Sequence, residues 1–288
     1  MSEHAKIVVT GASGFLGRVL CARLRDRGHS VIAVSRTCFI LPAEIIFRQV
    51  ATYSDLSSPA GSVLIHLAEP RDINRMEADG ERHVLDTIRL SEVLLAQHAG
   101  PAIYASSAAV YDDMSDRRHK PTDAVHPLTT YGRAKVECEQ RFLAAGGTVA
   151  RLSNLYGPGM AGNNVVSDIL TQIPGTGPLI VRSVDPIRDF LWVEDAADAL
   201  IRIVERESKG IFNVASGRSV SVGELAEITL RIAGESGRPI VSLERTHPPS
   251  QIYLDLSDTT TPIGWTPEIT IEQGLSKLLR MLGCGLPS

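Results

Sequence analysis

A short apolar run, a glycine-rich segment and an amphipathic run follow one another at the start of this 288-residue chain, and they constrain its fold most strongly. Ile7–Val9 predicts a β-strand. Phe15–Leu24 has its apolar residues at helical spacing, with Gly28 at the end of the predicted helix. The glycines of the connecting segment are Gly11, Gly14 and Gly17. A strand that is joined to a following helix by a short turn is the unit from which parallel α/β sheets are built.

The same alternation continues through residues 1–150. Further strands are predicted at Val31–Val34, Ile45–Phe47, Val63–Leu67, Ala102–Ala105 and Val149–Leu152, and further helices at Glu81–Gln97 and Tyr131–Ala145. Strands that alternate with helices need crossover connections, which make the sheet parallel and cover both of its faces. We therefore predict an α/β fold with a doubly wound parallel sheet, in which ligands bind beyond the carboxyl ends of the strands.

The texture of the sequence changes after Gly157-Pro158-Gly159, where proline and glycine become frequent. The helices predicted here, Val193–Arg206 and Val222–Ala233, are shorter, and Ile211–Val214 is expected to return to the main sheet as a strand. We expect a second, smaller lobe that closes over the carboxyl edge of the sheet. Residues 1–160 and about 188–215 would form the sheet domain, and about 161–187 and 216–288 the lobe.

Composition narrows the functional classes. The net charge of −4 shows no basic excess, so we expect no nucleic-acid partner. The four cysteines have neither CxxC nor zinc-site spacing, which favours free thiols and no metal site. No signal peptide is evident, and no apolar run approaches the roughly 18 residues of a membrane span. A cytoplasmic protein that binds no membrane is therefore expected.

The glycine segment Thr10–Gly17 has the spacing GxxGxxG. Gly11 permits a tight turn, Gly14 lets the backbone approach a pyrophosphate, and Gly17 lets the helix pack against the strand. Free N–H groups and the positive dipole end of the helix would then bind the phosphates. We predict that a dinucleotide binds here, in contact with these glycines and with Ser13, Phe15 and Leu16.

The end of the second strand bears on the type of cofactor. NAD sites place an acidic residue there for the ribose 2′-hydroxyl, but this chain has Ser35 and Arg36. Because a guanidinium pairs with a 2′-phosphate that a carboxylate would repel, NADP(H) is favoured. In the alternative, Arg36 belongs to a surface loop and the cofactor is NAD(H).

Ser107, Tyr131 and Lys135 are the candidate catalytic residues. Ser107 follows the fifth strand, while Tyr131 and Lys135 are four residues apart and so lie on one helix face. An ammonium stabilises a phenolate, so Tyr131 is suited to exchange a proton with a carbinol or carbonyl oxygen. Ser107 would hold the same oxygen by a hydrogen bond.

With these motifs the chain resembles the extended short-chain dehydrogenase/reductase superfamily, the group of UDP-galactose 4-epimerase-like proteins, from Ile7 to about Leu279. The matching segments are Thr10–Gly17, Asp55–Leu56, His66–Ala68, Ser106–Tyr111, Tyr131–Lys135, Arg151–Gly159, Arg188–Asp195, Asp255–Ser257 and Gly264–Pro267. The resemblance implies a Rossmann-type sheet domain, a C-terminal substrate-binding lobe, and hydride chemistry on nucleoside-diphosphate sugars. It also implies a homodimer formed through Glu81–Gln97 and Tyr131–Ala145.

The resemblance also implies roles for individual residues. Those implied to bind the cofactor, beside the glycine segment and the second strand, are Asp55, Leu56, Leu67, Ala68, Tyr131 and Lys135. Those implied to bind the substrate, beside Ser107, are Asn154, Arg188 and Arg245 at the diphosphate, and Val181 with Arg182 at the base.

The chain departs from the family pattern at several positions. His83 stands where the family has an asparagine that supports a proton-relay water, and Trp192 replaces a frequent histidine. Ala108-Ala109 stand where the 4,6-dehydratases have an acidic pair, which argues against loss of water.

Four functions fit the sequence. The first is an NADPH-dependent nucleotide-sugar 4-ketoreductase, and the second is an NAD-dependent nucleotide-sugar 4-epimerase. The third is a non-catalytic protein that senses a dinucleotide, which would not need both Tyr131 and Lys135. The fourth is a reductase of a substrate without a nucleotide, which would not need Asn154, Arg188 and Arg245 together.

Overall fold

The computed structural model describes residues 5–69, 73–244 and 250–284. In the N-terminal half the strands are β1 (Lys6–Thr10), β2 (Ser30–Ser35), β3 (Ile46–Gln49), β4 (Val63–His66), β5 (Ala102–Ser107), β6 (Arg118–His119) and β7 (Thr148–Leu152). The helices of this half are α1 (Phe15–Asp26), α2 (Ile73–Asp79), α3 (Glu81–Ala96) and α4 (Thr130–Ala144).

The C-terminal half continues the chain with shorter elements. Its strands are β8 (Asn154–Tyr156), β9 (Leu179–Val181), β10 (Ile187–Trp192), β11 (Gly210–Val214), β12 (Ser219–Ser221), β13 (Ile240–Ser242) and β14 (Tyr253–Leu254). Its helices are α5 (Val165–Leu170), α6 (Val193–Glu205), α7 (Val222–Ile232), α8 (Ser257–Ile263) and α9 (Ile271–Met281).

A seven-stranded sheet organises the molecule, in the order β3-β2-β1-β4-β5-β7-β11. All six strand pairs in it are parallel, so the predicted α/β fold with a parallel sheet is confirmed. The predicted strand at Ile211–Val214 does return to this sheet, where it pairs with β7. Strand order reverses between β1 and β4, and such a switch point opens a crevice at the carboxyl ends of the strands.

Helices cover both faces of the sheet. On one face α1 and α6 pack through residues such as Leu20, Leu24 and Leu200, which are inaccessible to solvent. On the other face α3 and α4 pack through Leu94 and Phe142 against the same strands. Apolar burial on both faces explains why the central strands are continuous apolar runs rather than alternating ones.

A separate apolar core lies in the C-terminal part of the chain. There α5, α7 and α9 pack with β9 and β10, through residues such as Leu225, Leu275 and Leu279. A small sheet of β8, β10 and β12 links this core to the carboxyl edge of the main sheet. Within the described ranges, no helix has both the length and the apolar character needed to cross a membrane.

Candidate active site

Three adjoining cavities run along the carboxyl edge of the sheet. The first, of about 700 Å³, lies between the glycine segment, the end of β2 and helices α2 and α3. The second, of about 270 Å³, lies between the glycine segment, the end of β5 and the start of α4. The third measures about 170 Å³. The first two share Leu67 and Glu69, and the last two share Ser107 and Ser153, so together they form one cleft.

The glycine segment has the geometry expected of a phosphate-binding turn. Gly11 has a φ of +70°, and a Cβ there would lie 2.9 Å from the backbone of Ala68. A Cβ at Gly17 would lie 2.3 Å from the carbonyl oxygen of Gly11. Gly14 is the N-cap of α1, so the free N–H groups of the first helical turn begin at the wall of the cleft. This turn can hold an anion such as a pyrophosphate.

Hydroxyl groups and guanidinium groups meet where β2 ends. Ser35 Oγ donates a hydrogen bond to Ser13 Oγ at 2.7 Å and accepts one from the Thr37 N–H at 3.1 Å. Arg18 Nε donates to the Ser13 carbonyl oxygen at 2.9 Å, and Arg36 lines the cavity beside it. Sequence reasoning missed Arg18, although it directly follows the last glycine of the segment.

Asp55 and Leu56, which the resemblance implies as cofactor contacts, make other contacts in the structure. Asp55 uses its carboxylate to accept the N–H of Thr52 at 3.3 Å, and Leu56 is 2% exposed in the core. Among the described residues it is Tyr53, rather than Asp55 or Leu56, that lines the first cavity. The Arg36 guanidinium lies 5.8 Å from the centre of the Tyr53 ring. An aromatic ring at this place could not be inferred from the motif Asp55-Leu56.

Ser107, Tyr131 and Lys135 line the second cavity together. Ser107 Oγ accepts a hydrogen bond from the N–H of Ala109 at 3.2 Å. The Lys135 Nζ lies 5.5 Å from the centre of the Tyr131 ring and donates to the carbonyl oxygen of Ala105 at 2.6 Å. The structure thus brings a hydroxyl, a phenol and a buried ammonium to one cavity. Proton exchange with a carbonyl or carbinol oxygen of a substrate requires such groups.

Gly132 allows the start of α4 to approach the serine loop. A Cβ at Gly132 would lie 2.4 Å from the carbonyl oxygen of Ala109. Thr129 caps the helix by accepting the N–H of Gly132 at 3.0 Å. On the other side, the Glu77 carboxylate accepts from both the N–H and the hydroxyl of Thr130 at 2.8 Å, which lowers the Glu77 pKa. These contacts fix the position of Tyr131.

A buried polar network supports the serine loop that follows β5. Arg151 donates to both oxygens of Glu139, at 3.0 Å and 2.7 Å, and to the hydroxyl of Tyr111 at 2.8 Å. Glu139 also accepts from Ser106, the residue before Ser107, at 2.5 Å. Glu139 lies one turn after Lys135 on α4. The network therefore connects the helix of the catalytic pair to the strand of the catalytic serine.

Glu69 is a residue of the site that sequence reasoning missed. Its carboxylate lies 2.7 Å from the Lys135 Nζ, and it also accepts a hydrogen bond from the hydroxyl of Tyr104. Burial and the neighbouring Glu69 charge raise the pKa of Tyr104 well above its usual value. Its position in the sequence could have indicated it. Glu69 comes three residues after the end of β4, and an α/β sheet binds its ligands at the carboxyl ends of its strands.

The third cavity contains Asn154 and Arg188, beside Ser107. Arg188 donates to the carbonyl oxygen of Ser250 at 2.9 Å and lies 3.4 Å from the Asp113 carboxylate. Burial lowers the pKa of Arg188, and Asp113 opposes that effect. The Asp113 carboxylate offsets part of the positive charge that Arg188 would offer to a phosphate.

The remaining predicted residues lie elsewhere. Val181 is 4% exposed and packs in the C-terminal core, so its side chain does not reach the cleft. Arg182 is on the surface, paired with Glu244 at 3.0 Å. Arg245, predicted at the diphosphate, lies outside the described residues.

Two of the positions that depart from the family pattern, His83 and Trp192, have different surroundings. His83 is buried and lines the first cavity, and its carbonyl oxygen accepts the Thr87 hydroxyl at 2.8 Å. Trp192 is 1% exposed and packs edge to face on Tyr156, with ring centres 5.3 Å apart. Packing accounts for Trp192, whereas His83 is a polar group of the cleft.

Several known proteins that are similar to this chain in sequence or fold are enzymes. The chain is 29% identical over 305 residues to the GDP-6-deoxy-D-mannose reductase of Pseudomonas aeruginosa, covering 95% of this chain and 96% of that protein. The solved UDP-glucose 4-epimerase of Thermotoga maritima, with UDP-glucose, superposes with a TM-score of 0.84 at 23% identity, over 96% of this chain and 98% of that one. At that identity the likeness concerns the fold.

A third similar protein is MoeE5, whose structure was solved in complex with UDP-glucuronic acid and NAD. MoeE5 superposes with a TM-score of 0.82 at 25% identity, and the match covers 96% of this chain and 100% of MoeE5. The sequence model of one enzyme family matches residues 7–215, which include the glycine segment, Ser107, Tyr131, Lys135 and Arg188. The chain belongs to the NAD dependent epimerase/dehydratase family.

Proposed function

We propose that this protein is an NADPH-dependent reductase that acts on the C4 carbonyl of a nucleoside-diphosphate sugar. The observation that carries the proposal is the position of Ser107, Tyr131 and Lys135 in the middle cavity of the cleft. On one side this cavity joins a large cavity with a phosphate-binding turn, and on the other a smaller cavity with Arg188. A dinucleotide and a phosphorylated substrate can thus approach the same catalytic groups from opposite ends.

The residues of the first cavity fit a nicotinamide dinucleotide. The glycine turn would hold the pyrophosphate, and Tyr53 offers a ring beside the adenine. At the end of β2, Arg18 and Arg36 accompany the hydroxyls of Ser13 and Ser35. Guanidinium groups and hydroxyls at this place favour a 2′-phosphate, and thus NADP(H) over NAD(H).

When bound, the nicotinamide supplies a hydride for the carbonyl carbon. The protein residues handle the proton and the charge. Tyr131 donates its proton to the carbonyl oxygen, Ser107 holds that oxygen by a hydrogen bond, and the Lys135 ammonium stabilises the phenolate that remains.

The third cavity suggests the class of substrate. Asn154 and Arg188 line it, and Arg245 remains a predicted third contact to a diphosphate. The proteins similar to this one have names or bound ligands that include GDP and UDP sugars. We propose the same substrate class for this protein. We also propose that it is cytoplasmic and forms a homodimer through α3 and α4.

A 4-epimerase that retains NAD is the second candidate. It is favoured by the NAD that is bound in the structure of MoeE5. The catalytic groups fit both reactions, since each one exchanges a proton at the C4 oxygen.

One experiment separates the two functions. The purified protein is analysed for bound dinucleotide and then mixed with NADPH and a nucleoside-diphosphate 4-keto-6-deoxy sugar, while NADPH absorbance is followed. We expect an empty protein that consumes NADPH in proportion to product. We also expect Tyr131→Phe to reduce turnover at least about 100-fold, as loss of a general acid does. Stoichiometric bound NAD and interconversion of sugars without NADPH would instead establish the epimerase.

A further inference from the structure

Glu69 lies at the neck of the cleft, where the first and second cavities meet. One oxygen of its carboxylate is 2.7 Å from the Lys135 Nζ, and the other accepts the hydroxyl of Tyr104. The exposed fraction is 6% for the Lys135 side chain and 12% for that of Glu69. Because the pair is buried, removing one partner would leave the other as an uncompensated charge.

The ammonium of Lys135 is oriented by its neighbours. It donates to Glu69 and to the carbonyl oxygen of Ala105, and it lies 4.7 Å from the centre of the Tyr104 ring. Among the described residues, these hydrogen bonds use two of its three donors. The third donor remains available for the catalytic cavity, where Tyr131 lies.

Several titratable groups face Lys135, from every element packed against it. They are Glu69 after β4, His66 on β4, Tyr104 on β5, and Tyr131 and Cys138 on α4. Burial lowers the pKa of His66 to about 3, so His66 is neutral. Burial raises the pKa values of Tyr104 and Cys138, so both remain protonated.

Glu69 is therefore the anion that balances Lys135 in the described structure. Glu139, one helical turn away, is bound on both oxygens by Arg151. Burial by itself lowers the pKa of Lys135, but Glu69, followed by Tyr131, raises it above its usual value. Without the Glu69 charge, burial would dominate, and buried lysines can lose their proton near neutral pH.

We propose that Glu69 is a positioning residue whose carboxylate keeps the Lys135 ammonium charged and directed toward Tyr131, and thereby sets the alkaline limit of the reaction. If Lys135 loses its proton, the phenolate of Tyr131 loses the positive charge that stabilises it. The consequence for the reaction rests on the proposed hydride-transfer function. The charge of Lys135, in contrast, is a property of the protein without any ligand.

The charge of Lys135 can be measured directly by NMR. The chain has five lysines, Lys6, Lys120, Lys135, Lys209 and Lys277. Protein with isotope-labelled lysine Cε is titrated without cofactor, and the Lys135 signal is assigned by its loss in Lys135→Met. In the wild type, we expect Lys135 to titrate above the usual value for a lysine.

Glu69→Gln tests the proposal, because it removes the charge and keeps a carbonyl acceptor of the same size. We expect the titration midpoint of Lys135 to fall by at least about one pH unit, as expected for a buried lysine without its anion. Glu69→Asp keeps the charge and should return the Lys135 midpoint most of the way to its wild-type value. This variant tests the proposal even if Glu69→Gln folds poorly. Glu77→Gln is the matched control, since Glu77 contacts the same helix at Thr130.

An unchanged Lys135 midpoint in Glu69→Gln would overturn the proposal, and so would an equal shift in Glu77→Gln, which would indicate a distorted helix. In the reductase assay, the alkaline limb of the kcat profile of Glu69→Gln should move to lower pH by the same amount. If no sugar is reduced but the NMR midpoint shifts, the proposed function fails while the role of Glu69 for Lys135 stands.

Discussion

At the scale of single residues, we propose that the choice between NADP(H) and NAD(H) depends on Arg36. Its guanidinium lies over Tyr53 at the wall of the first cavity, next to the hydroxyls of Ser13 and Ser35. This arrangement would surround the 2′ position of an adenosine ribose with donors. A carboxylate at the same place would accept from a 2′-hydroxyl and repel a 2′-phosphate.

Arg36→Asp should therefore weaken NADPH binding by about 10-fold or more, because one charge-assisted contact is lost. The same change should strengthen NADH binding. Calorimetric titration of both dinucleotides measures the change. Arg231→Asp, on an exposed part of α7, alters the net charge equally and should leave the ratio of the two affinities unchanged. A constant ratio in Arg36→Asp would refute the assignment of Arg36 to the 2′-phosphate.

At the scale of secondary-structure elements, α4 is the helix that organises the site. One face of it carries Tyr131, Lys135 and Glu139, each one turn after the other. These residues contact the catalytic cavity, Glu69 and Arg151, respectively. The helix can take this place because Gly132 has no Cβ to collide with the carbonyl of Ala109.

Gly132→Ala distinguishes packing from helix propensity. Within an exposed helix, alanine would stabilise relative to glycine by about 1 kcal/mol. Here the new Cβ would lie 2.4 Å from the Ala109 oxygen, so the helix or the serine loop must shift. We expect a loss of about 1–3 kcal/mol in the free energy of unfolding, as for other overpacked sites, together with a lower kcat.

Urea unfolding and steady-state kinetics measure both effects of Gly132→Ala. Gly162→Ala is the control, because a Cβ there has nothing within 4 Å. A stabilised and fully active Gly132→Ala protein would contradict the tight approach of α4 to the serine loop.

At the scale of the whole molecule, buried histidine makes stability depend on pH. His66 is 1% exposed on the central strand β4, stacked beside Tyr104 and Phe142. Burial first, and Lys135 second, lower its pKa to about 3 from an ordinary value of 6.5. Since the unfolded chain takes up the proton first, His66 contributes its full stability above about pH 6.5, and this is lost as pH falls toward 3.

Between pH 7 and pH 5, the contribution of His66 to this loss should be about 2 kcal/mol. His66 Nδ1 lies 2.7 Å from the Thr10 hydroxyl. His66→Asn keeps a polar atom near that hydroxyl and removes the titrating ring, so the unfolding free energy of the variant should fall by about 2 kcal/mol less between pH 7 and pH 5. Urea unfolding at several pH values gives the comparison. Equal pH dependence in both proteins would mean that His66 has the same pKa in the folded and the unfolded chain.

Much of this architecture follows from local sequence. Apolar runs such as Ile7–Val9 and Val63–Leu67 predicted the strands, and their alternation with helices predicted the parallel sheet, because periodicity and connectivity are local properties. Motif spacing also indicated Ser107, Tyr131 and Lys135, since residues four apart on a helix share a face.

Other features depend on contacts between distant segments, and the sequence alone could not provide them. Glu69 and Lys135 are 66 positions apart, and their pairing depends on how β4 and α4 pack. Val181 matched the family by position, but the C-terminal core buries its side chain. Local periodicity determined the elements and the sheet, whereas long-range packing decided which polar groups meet in the cleft and which charges balance each other there.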